Sequence, residues 1–548
     1  MRETRGRLGR RVLAFVILAG MVLGACGDDD DGGGGADATS APSSATPTSG
    51  GQPATTAADD VDPSGVLRIG HEIATDGGGV QFDPIKVINP AQDWIFAMVY
   101  DTLLRETADG VFEPGLASEA EIVDASTISV TLQEGLTFQD GTPLDAEAVK
   151  LNLERNKASN NGGAFRMAEL SQLQEVVVES PTELTLRLAT PVAGSFYNLL
   201  AHMESTIVSP AALASSAPIA SAPVGAGPFR ITSYDNASLI RMEKWDGYFQ
   251  ADEIRLAAVE FVQVPNGPQQ INALKSDTID VATLSASQVD SAAGGDIKTQ
   301  TVLSPNTMQW ISMQCARQPA FQDVRVRQAL NYALDKDAIN QVLYQGAGEV
   351  QQGLWTSDTD YFNPDLEGLY QRDVAKARDL LAQAGHADLA LTLMVSTSPE
   401  QQRMAEAVQA QWAEAGITAE IVVSQNSTQD YYLDKKADMF ITGQSRTWTD
   451  KITRNWMPGS IGTTCDPQDA ELTAKTTELK GLRRDDPRAV QLWHEIQAFI
   501  FENAYGIFGV MGTLSTAWND ARIGNVTWVP DTLGRPQIDV HSVYIKAS

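Results

Sequence analysis

Three cysteines and five histidines are the residues of this 548-residue chain best suited by type to covalent, metal or acid–base chemistry. His71, His202, His386, His494 and His541 are scattered without ligand spacing, and neither CxxC nor HExxH occurs, so no metal site is expected. The patterns GxSxG and GxxxxGK[ST] are also absent, and GAGPFR at Gly225 lacks the rest of a dinucleotide fingerprint. No catalytic constellation emerges, and the chain is expected to be neither an enzyme nor a carrier of a cofactor. The cysteines divide differently. Cys26 follows an apolar run, whereas Cys315 and Cys465 stand far apart in the body.

The run before Cys26 is VLAFVILAGMVLGA, from Val12 to Ala25, behind Arg2, Arg5, Arg7, Arg10 and Arg11. A charged start and an apolar stretch too short to span a bilayer read as a secretory signal. Leu23, Gly24, Ala25 and Cys26 resemble the bacterial lipobox, in which small residues admit a peptidase and the cysteine sulfur receives a diacylglycerol. Residues 1–25 are then a lipoprotein signal peptide, and Cys26 anchors the chain at the extracytoplasmic face of the cell membrane. The alternative is an ordinary signal peptide that happens to contain Cys26. Arg10-Arg11 also leaves the twin-arginine export route open. Residues 26–62 are Gly, Ser, Thr, Ala, Pro and Asp with little to bury, which makes a disordered tether. No other stretch has the length and apolarity to span a bilayer, since the uncharged segment 205–229 is broken by Pro210, Pro218, Pro223 and Pro228.

The body beyond the tether is too long for one ordinary core and should form two or three domains, with 43% hydrophobic residues to bury. The formal charge of −30 for the whole chain becomes −34 after cleavage, because residues 1–25 carry five Arg against one Glu, a loss of +4. Such acidity argues against nucleic acid or an anionic bilayer surface as partner. Outside the cell, Cys315 and Cys465 either pair or remain as two buried thiols.

The elements that must position any site follow from periodicity. Ile128, Val130 and Leu132 alternate with polar residues, as do Leu184, Leu186 and Leu188, so both stretches are half-buried strands. Between them, Asp140-Gly141 makes a turn and Asp145 caps a helix that shows Ala146, Val149 and Leu153 on one face. Later the pattern becomes strand, helix, strand. Leu389, Leu391, Leu393 and Val395 alternate; Ser398-Pro399-Glu400-Gln401 reads as a capping box; Met404, Val408, Trp412 and Ala415 share a face up to Gly416. With Ile417, Ile421 and Val423 this is a βαβ unit with parallel strands. Asp323 and Asp373 cap two further core-covering helices. A strand at 438–442 ends at Gly443 and releases the loop GQSRTWTD, and ligands of open α/β sheets bind beyond such carboxyl ends.

Four ordered stretches, VYDTLLRETADGVFEPGLASEAEIVDASTISVTLQEGLTFQDGTPLDAEAVKLNLER, GAGPFRITSY, INALKSDTIDVA and FQDVRVRQALNYALDKDAI, resemble the family 5 extracellular solute-binding proteins. These are the oligopeptide, dipeptide and nickel receptors of ABC importers, and the likeness runs from about Val66 to Tyr544. It implies an α/β, two-lobed periplasmic-binding-protein-like (type II) fold with an extra inserted α+β domain, and a solute trapped by hinge closure. On that frame lobe I is 63–97 with 217–311 and 510–548, the inserted domain is 98–216, and lobe II is 312–509. The partners implied are a small solute, with a peptide first, and ABC permease and ATPase subunits as separate chains; the receptor itself is expected to be a monomer.

The resemblance also directs attention to residues. The loop after the late strand carries an aromatic in relatives, here Trp448, and an aspartate that holds a peptide amine, here Asp450, although Lys451 stands where proline is usual. Arg446 would instead favour an anionic solute. Gln309 and Trp310 lie before the expected hinge, Trp355 lies in QQGLWTSDTDY, and Glu72 and Ile73 follow the first strand toward the cleft. Three other readings compete: a metal-chelate or nickel receptor of the same fold, an extracellular hydrolase, and a sensory lipoprotein without transport.

Overall fold

The two alternating stretches are neighbouring strands. Thr127–Leu132 pairs with Ala117–Asp124 and Glu183–Leu188, and Leu173–Ser180 completes a four-stranded antiparallel sheet. Their apolar residues are buried in one cluster with Ala146, Val149 and Leu153 of the helix Ala146–Ala158. The Asp145 carboxylate accepts from the Ala148 amide at 3.0 Å, satisfying one of the donors that a helix start leaves unpaired. This computed structural model describes residues 60–71, 82–86, 93–107, 110–158, 170–202, 205–215, 219, 222–235, 238–265, 267–303, 309–351, 353–357, 359–443, 455–456, 465, 469–530 and 536–547. Cys26 with its leader and the tether as far as residue 59, and Glu72, Ile73, Arg446, Trp448 and Asp450, lie outside the described residues. The last tether residues depart from the expectation of disorder, since Asp62 donates from its amide to the Ile545 carbonyl at 2.8 Å and Val61 bridges to Lys546.

Lobe I is a seven-stranded sheet. Its order is Ile297–Leu303, Thr513–Asn519, Val281–Leu284, Val66–His71, Ala258–Gln263, Leu239–Lys244 and Phe229–Asp235. The central Val66–His71 runs parallel to both neighbours. Under it lies Asp280, fully buried, which accepts from the Arg68 amide at 2.8 Å and from its guanidinium at 2.7 and 3.1 Å. Arg522 reaches the same carboxylate at 2.7 Å. A buried charge is tolerated only when paired this fully. The stretch INALKSDTIDVA therefore serves architecture.

The inserted domain is tied firmly to lobe I. Gln139 Nε2 donates to the carbonyls of Val99, Gly227 and Phe229 at 3.2, 3.1 and 2.8 Å, from a buried position. A Cβ on Gly225 or Gly227 would overlap the backbone of Met98, Val99 or Tyr100, so GAGPFR is a close crossing of two segments of the backbone. These contacts join the two parts into one body.

Lobe II is a six-stranded sheet in the order Glu349–Val350, Ile507–Met511, Gln309–Met313, Met439–Gly443, Ala390–Val395 and Thr418–Val423. Ala390–Val395 is parallel to Thr418–Val423 and to Met439–Gly443, the arrangement expected of a βαβ unit. Asp323 and Asp373 cap their helices through the Arg325 and Lys376 amides, both at 2.9 Å. The expected capping box differs. Ser398 makes no side-chain cap; Gln401 reaches past it to the Ser396 amide and hydroxyl at 3.0 and 2.7 Å, and Glu400 is taken by the Tyr344 hydroxyl. A tertiary partner thus outcompetes the local motif. The domain breaks after 311 and before 510 fall inside the strands Gln309–Met313 and Ile507–Met511, which pair as whole strands within lobe II. The crossings between lobes lie at 304–308 and at Gly512.

Candidate functional site

Strand registers define which edges face the crossings. In lobe II, Gln309 is opposite Gly443 on one side and Val510 on the other, so all three lie level. Gln309 follows the crossing at 304–308, and Val510 precedes the one at Gly512. The carboxyl end of Met439–Gly443 is consequently at the crossing edge. The GQSRTWTD loop leaves from there.

The same argument holds in lobe I. Val281 pairs with Trp518 and Leu284 with Ser515, so this strand runs toward Thr513, next to the crossing. Val66–His71 is parallel to it, which places the carboxyl end of the strand, His71, at the same edge. Two strand ends, one from each lobe, thus deliver their following segments to the edges that border the crossings. In open α/β sheets ligands bind beyond the carboxyl ends of the strands, and both of these ends meet that condition.

The described candidates lie beneath that edge. Trp310 is 1% exposed, its ring near-parallel to Phe508 with centroids 5.9 Å apart and tilted against Trp456 at 5.3 Å. Its indole Nε1 has no hydrogen-bond partner among the described residues. Gln309 is the adjacent buried residue of the same strand. Trp355 is 2% exposed and packs edge-on to Trp493 at 5.2 Å and against Tyr361 at 4.9 Å. Both tryptophans therefore belong to one apolar cluster with Leu492, Ile496 and Phe501. In this conformation protein atoms cover their faces.

The reading from sequence missed Trp456 and Phe508. Trp456 is fully buried and donates from Nε1 to the Tyr505 carbonyl at 3.0 Å, which fixes the chain just past the GQSRTWTD loop. A second tie follows at Cys465, which forms a disulfide with Cys315, with Cα atoms 4.8 Å apart. Cys315 lies beyond Met313, at the opposite end of the strand from Gln309. The chain that departs at the crossing edge is thus held at its return by an indole and at the far end by a covalent bond. Neither tie has a local signal in sequence beyond residue type. Among the described residues there is no cluster of His, Cys, Asp or Glu able to hold a metal ion, and no helix long and apolar enough to cross a membrane.

The model of the bacterial extracellular solute-binding proteins, family 5, matches residues 111–461. The chain belongs to this family. A glutathione-binding protein, GsiB, of Salmonella paratyphi A is 28% identical over 433 residues, covering 75% of this chain and 82% of that one. Among solved structures, the oligopeptide-binding protein AppA of Bacillus subtilis, in complex with a nonapeptide, superposes with a TM-score of 0.71 at 19% identity, over 88% of this chain and 99% of that one. A dipeptide-binding protein from Pseudoalteromonas, in complex with Met-Leu, gives 0.72 at 21% identity over 88% and 100%. As a family 5 solute-binding protein, the chain is an extracytoplasmic solute receptor with the two-lobed α/β fold. Family 5 proteins bind solutes and are not defined by catalysis.

Proposed function

We propose that this receptor captures a peptide or peptide-like solute between its lobes, closes around it by hinge motion, and delivers it to a permease and ATPase on separate chains. The observation that carries the reading is the common placement of two strand ends, His71 and Gly443, at the edges bordering the interlobe crossings. From those ends, Glu72 and Ile73 would supply one wall and Arg446, Trp448 and Asp450 the other. Trp448 is the aromatic platform, Asp450 the partner of a free amine, and Arg446 the partner of a carboxylate. An amine and a carboxylate at opposite ends are what a short peptide presents, and the relatives, named as glutathione-, oligopeptide- and dipeptide-binding proteins, favour that class. Gln309 and Trp310 would form the floor, and Trp355, in the same apolar cluster as Trp310, would support it.

The domains on this reading are lobe I with the inserted domain as one body and lobe II as the other. The receptor acts as a monomer held to the membrane by a diacylglyceryl Cys26 and the tether 26–62. The tether confines the body near its transporter and raises the effective concentration of the encounter. Mass spectrometry of what co-purifies with the protein tests the solute class directly. Recovery of short peptides supports the proposal, and recovery of only a metal chelate would replace it with the nickel-receptor alternative.

A further inference from the structure

We infer that the inserted domain is a second jaw, docking on the helices of lobe II through a contact that closure makes and opening breaks. The inference rests on the hinge reading above. Because Gln139 and the GAGPFR crossing bind the inserted domain to lobe I, any contact it makes with lobe II must part when the lobes do. Such a contact exists. The helix Ala193–Leu199 meets the turn between Ala470–Gly481 and Pro487–Glu502, so closely that a Cβ on Gly194 would overlap the Leu482 carbonyl oxygen. Glycine is poorer than alanine inside a helix, so Gly194 is offset only when the two surfaces touch.

Around this point the groups are ionic and stacked. Arg484 Nη1 lies 2.8 Å from Glu106 Oε1, with the carboxylate side chain 4% exposed. The Arg484 guanidinium sits 5.7 Å from the Phe112 ring centroid, and Arg483 sits 5.1 Å from that of Tyr197. The apolar cores of the inserted domain and of the lobe II helices remain separate clusters, and a cleft of about 450 Å3 opens between them, bordered by Phe112, Tyr197, Tyr361, Arg483 and Arg484. A surface joined by ion pairs and stacked rings, with no fused apolar core, can part without exposing a large hydrophobic area. His202 Nε2 is 3.7 Å from Glu106 Oε2 and belongs to the same body, so Glu106 keeps a neighbour when Arg484 departs.

Single-molecule energy transfer tests this in the mature chain, with dyes on azide-bearing residues replacing the exposed Glu119 of the inserted domain and Glu420 of lobe II. A tryptic digest of casein serves as the peptide source. Two distance populations are expected in the parent protein, and Gly194→Ala should deplete the shorter at least tenfold, with Arg484→Met shifting it in the same direction. Gly194→Ala suits the isolated helix, and an unchanged melting profile by circular dichroism verifies folding. A single population in the parent with and without digest, or a short-distance population undiminished in both variants, would overturn the inference. If the digest changes nothing while the variants still deplete the short distance, the jaw stands and the peptide reading falls.

Discussion

Lys336 carries a charge that its surroundings do not compensate. Among the described residues it has no carboxylate partner, only the Tyr370 ring with its centroid 6.0 Å away, and burial pushes its pKa down to about 8. In the unfolded chain the group titrates near 10.4. Between those values the unfolded state binds the extra proton, so stability rises with pH across that window, and the penalty is fully present below pH 8. Lys336→Met should therefore raise the melting temperature at pH 7, by about 3 kcal/mol of stability at most, and the gain should fade toward pH 10.4. Denaturant melts at the two pH values check it; an equal gain at both would assign the effect to packing. At the same scale, Trp448→Ala should weaken binding of the co-purified solute by about 1–3 kcal/mol and leave unfolding of the empty protein unchanged. Asp450→Asn should matter only for a solute with a free amine. Calorimetry distinguishes them, and unchanged affinity in Trp448→Ala would leave Trp310 and Trp355 as the aromatic candidates.

Strands and loops set how the site is held. Met439–Gly443 releases its loop at the crossing edge because it is parallel to Ala390–Val395 and level with Gln309 at its end. The Cys315–Cys465 disulfide closes a separation of 150 residues. In the chain-entropy picture a loop that long contributes about 5 kcal/mol by restricting the unfolded state. The mature protein, denatured without reductant, should accordingly show no reactive thiol at these positions, and reduction should lower its denaturant midpoint. Two labelled thiols before reduction would contradict the pairing. Much of this level was legible from sequence. Alternation marked Thr127–Leu132 and Glu183–Leu188, and aspartate caps marked three helices, since both signals are local. Ser398 was not: its helix start is satisfied from Ser396 and Gln401, and Glu400 is claimed by Tyr344, which lies 56 residues away in sequence.

For the molecule as a whole, capture requires two bodies that move and one anchor that does not. Along the chain the two large sheets are joined between Leu303 and Gln309 and between Met511 and Thr513, and the proposed hinge works at those two joins. A solute can drive closure only to the extent that it binds the closed form more tightly. In the proposed reading the anchor is Cys26, and Cys26→Ser should then release the protein to the medium or stall it as uncleaved precursor. Fractionation of expressing cells decides, and a processed, membrane-bound variant would exclude the lipid anchor.

The sequence by itself determined the absence of known catalytic motifs, the alternating and capped elements, and the family, and it is the sole basis of the proposed leader and tether. All of these depend on residue order over short windows or on ordered motifs. It could not rank its tryptophans. Trp310 and Trp355 have the same chemistry as Trp448, and only tertiary packing shows the first two enclosed by Phe508, Trp456, Trp493 and Tyr361. Tertiary structure likewise decided that Asp280 anchors Arg68 and Arg522, and that Gly225 and Gly194 are points of close approach. Each of these depends on which distant segments meet, and that is settled by the summed packing of whole lobes.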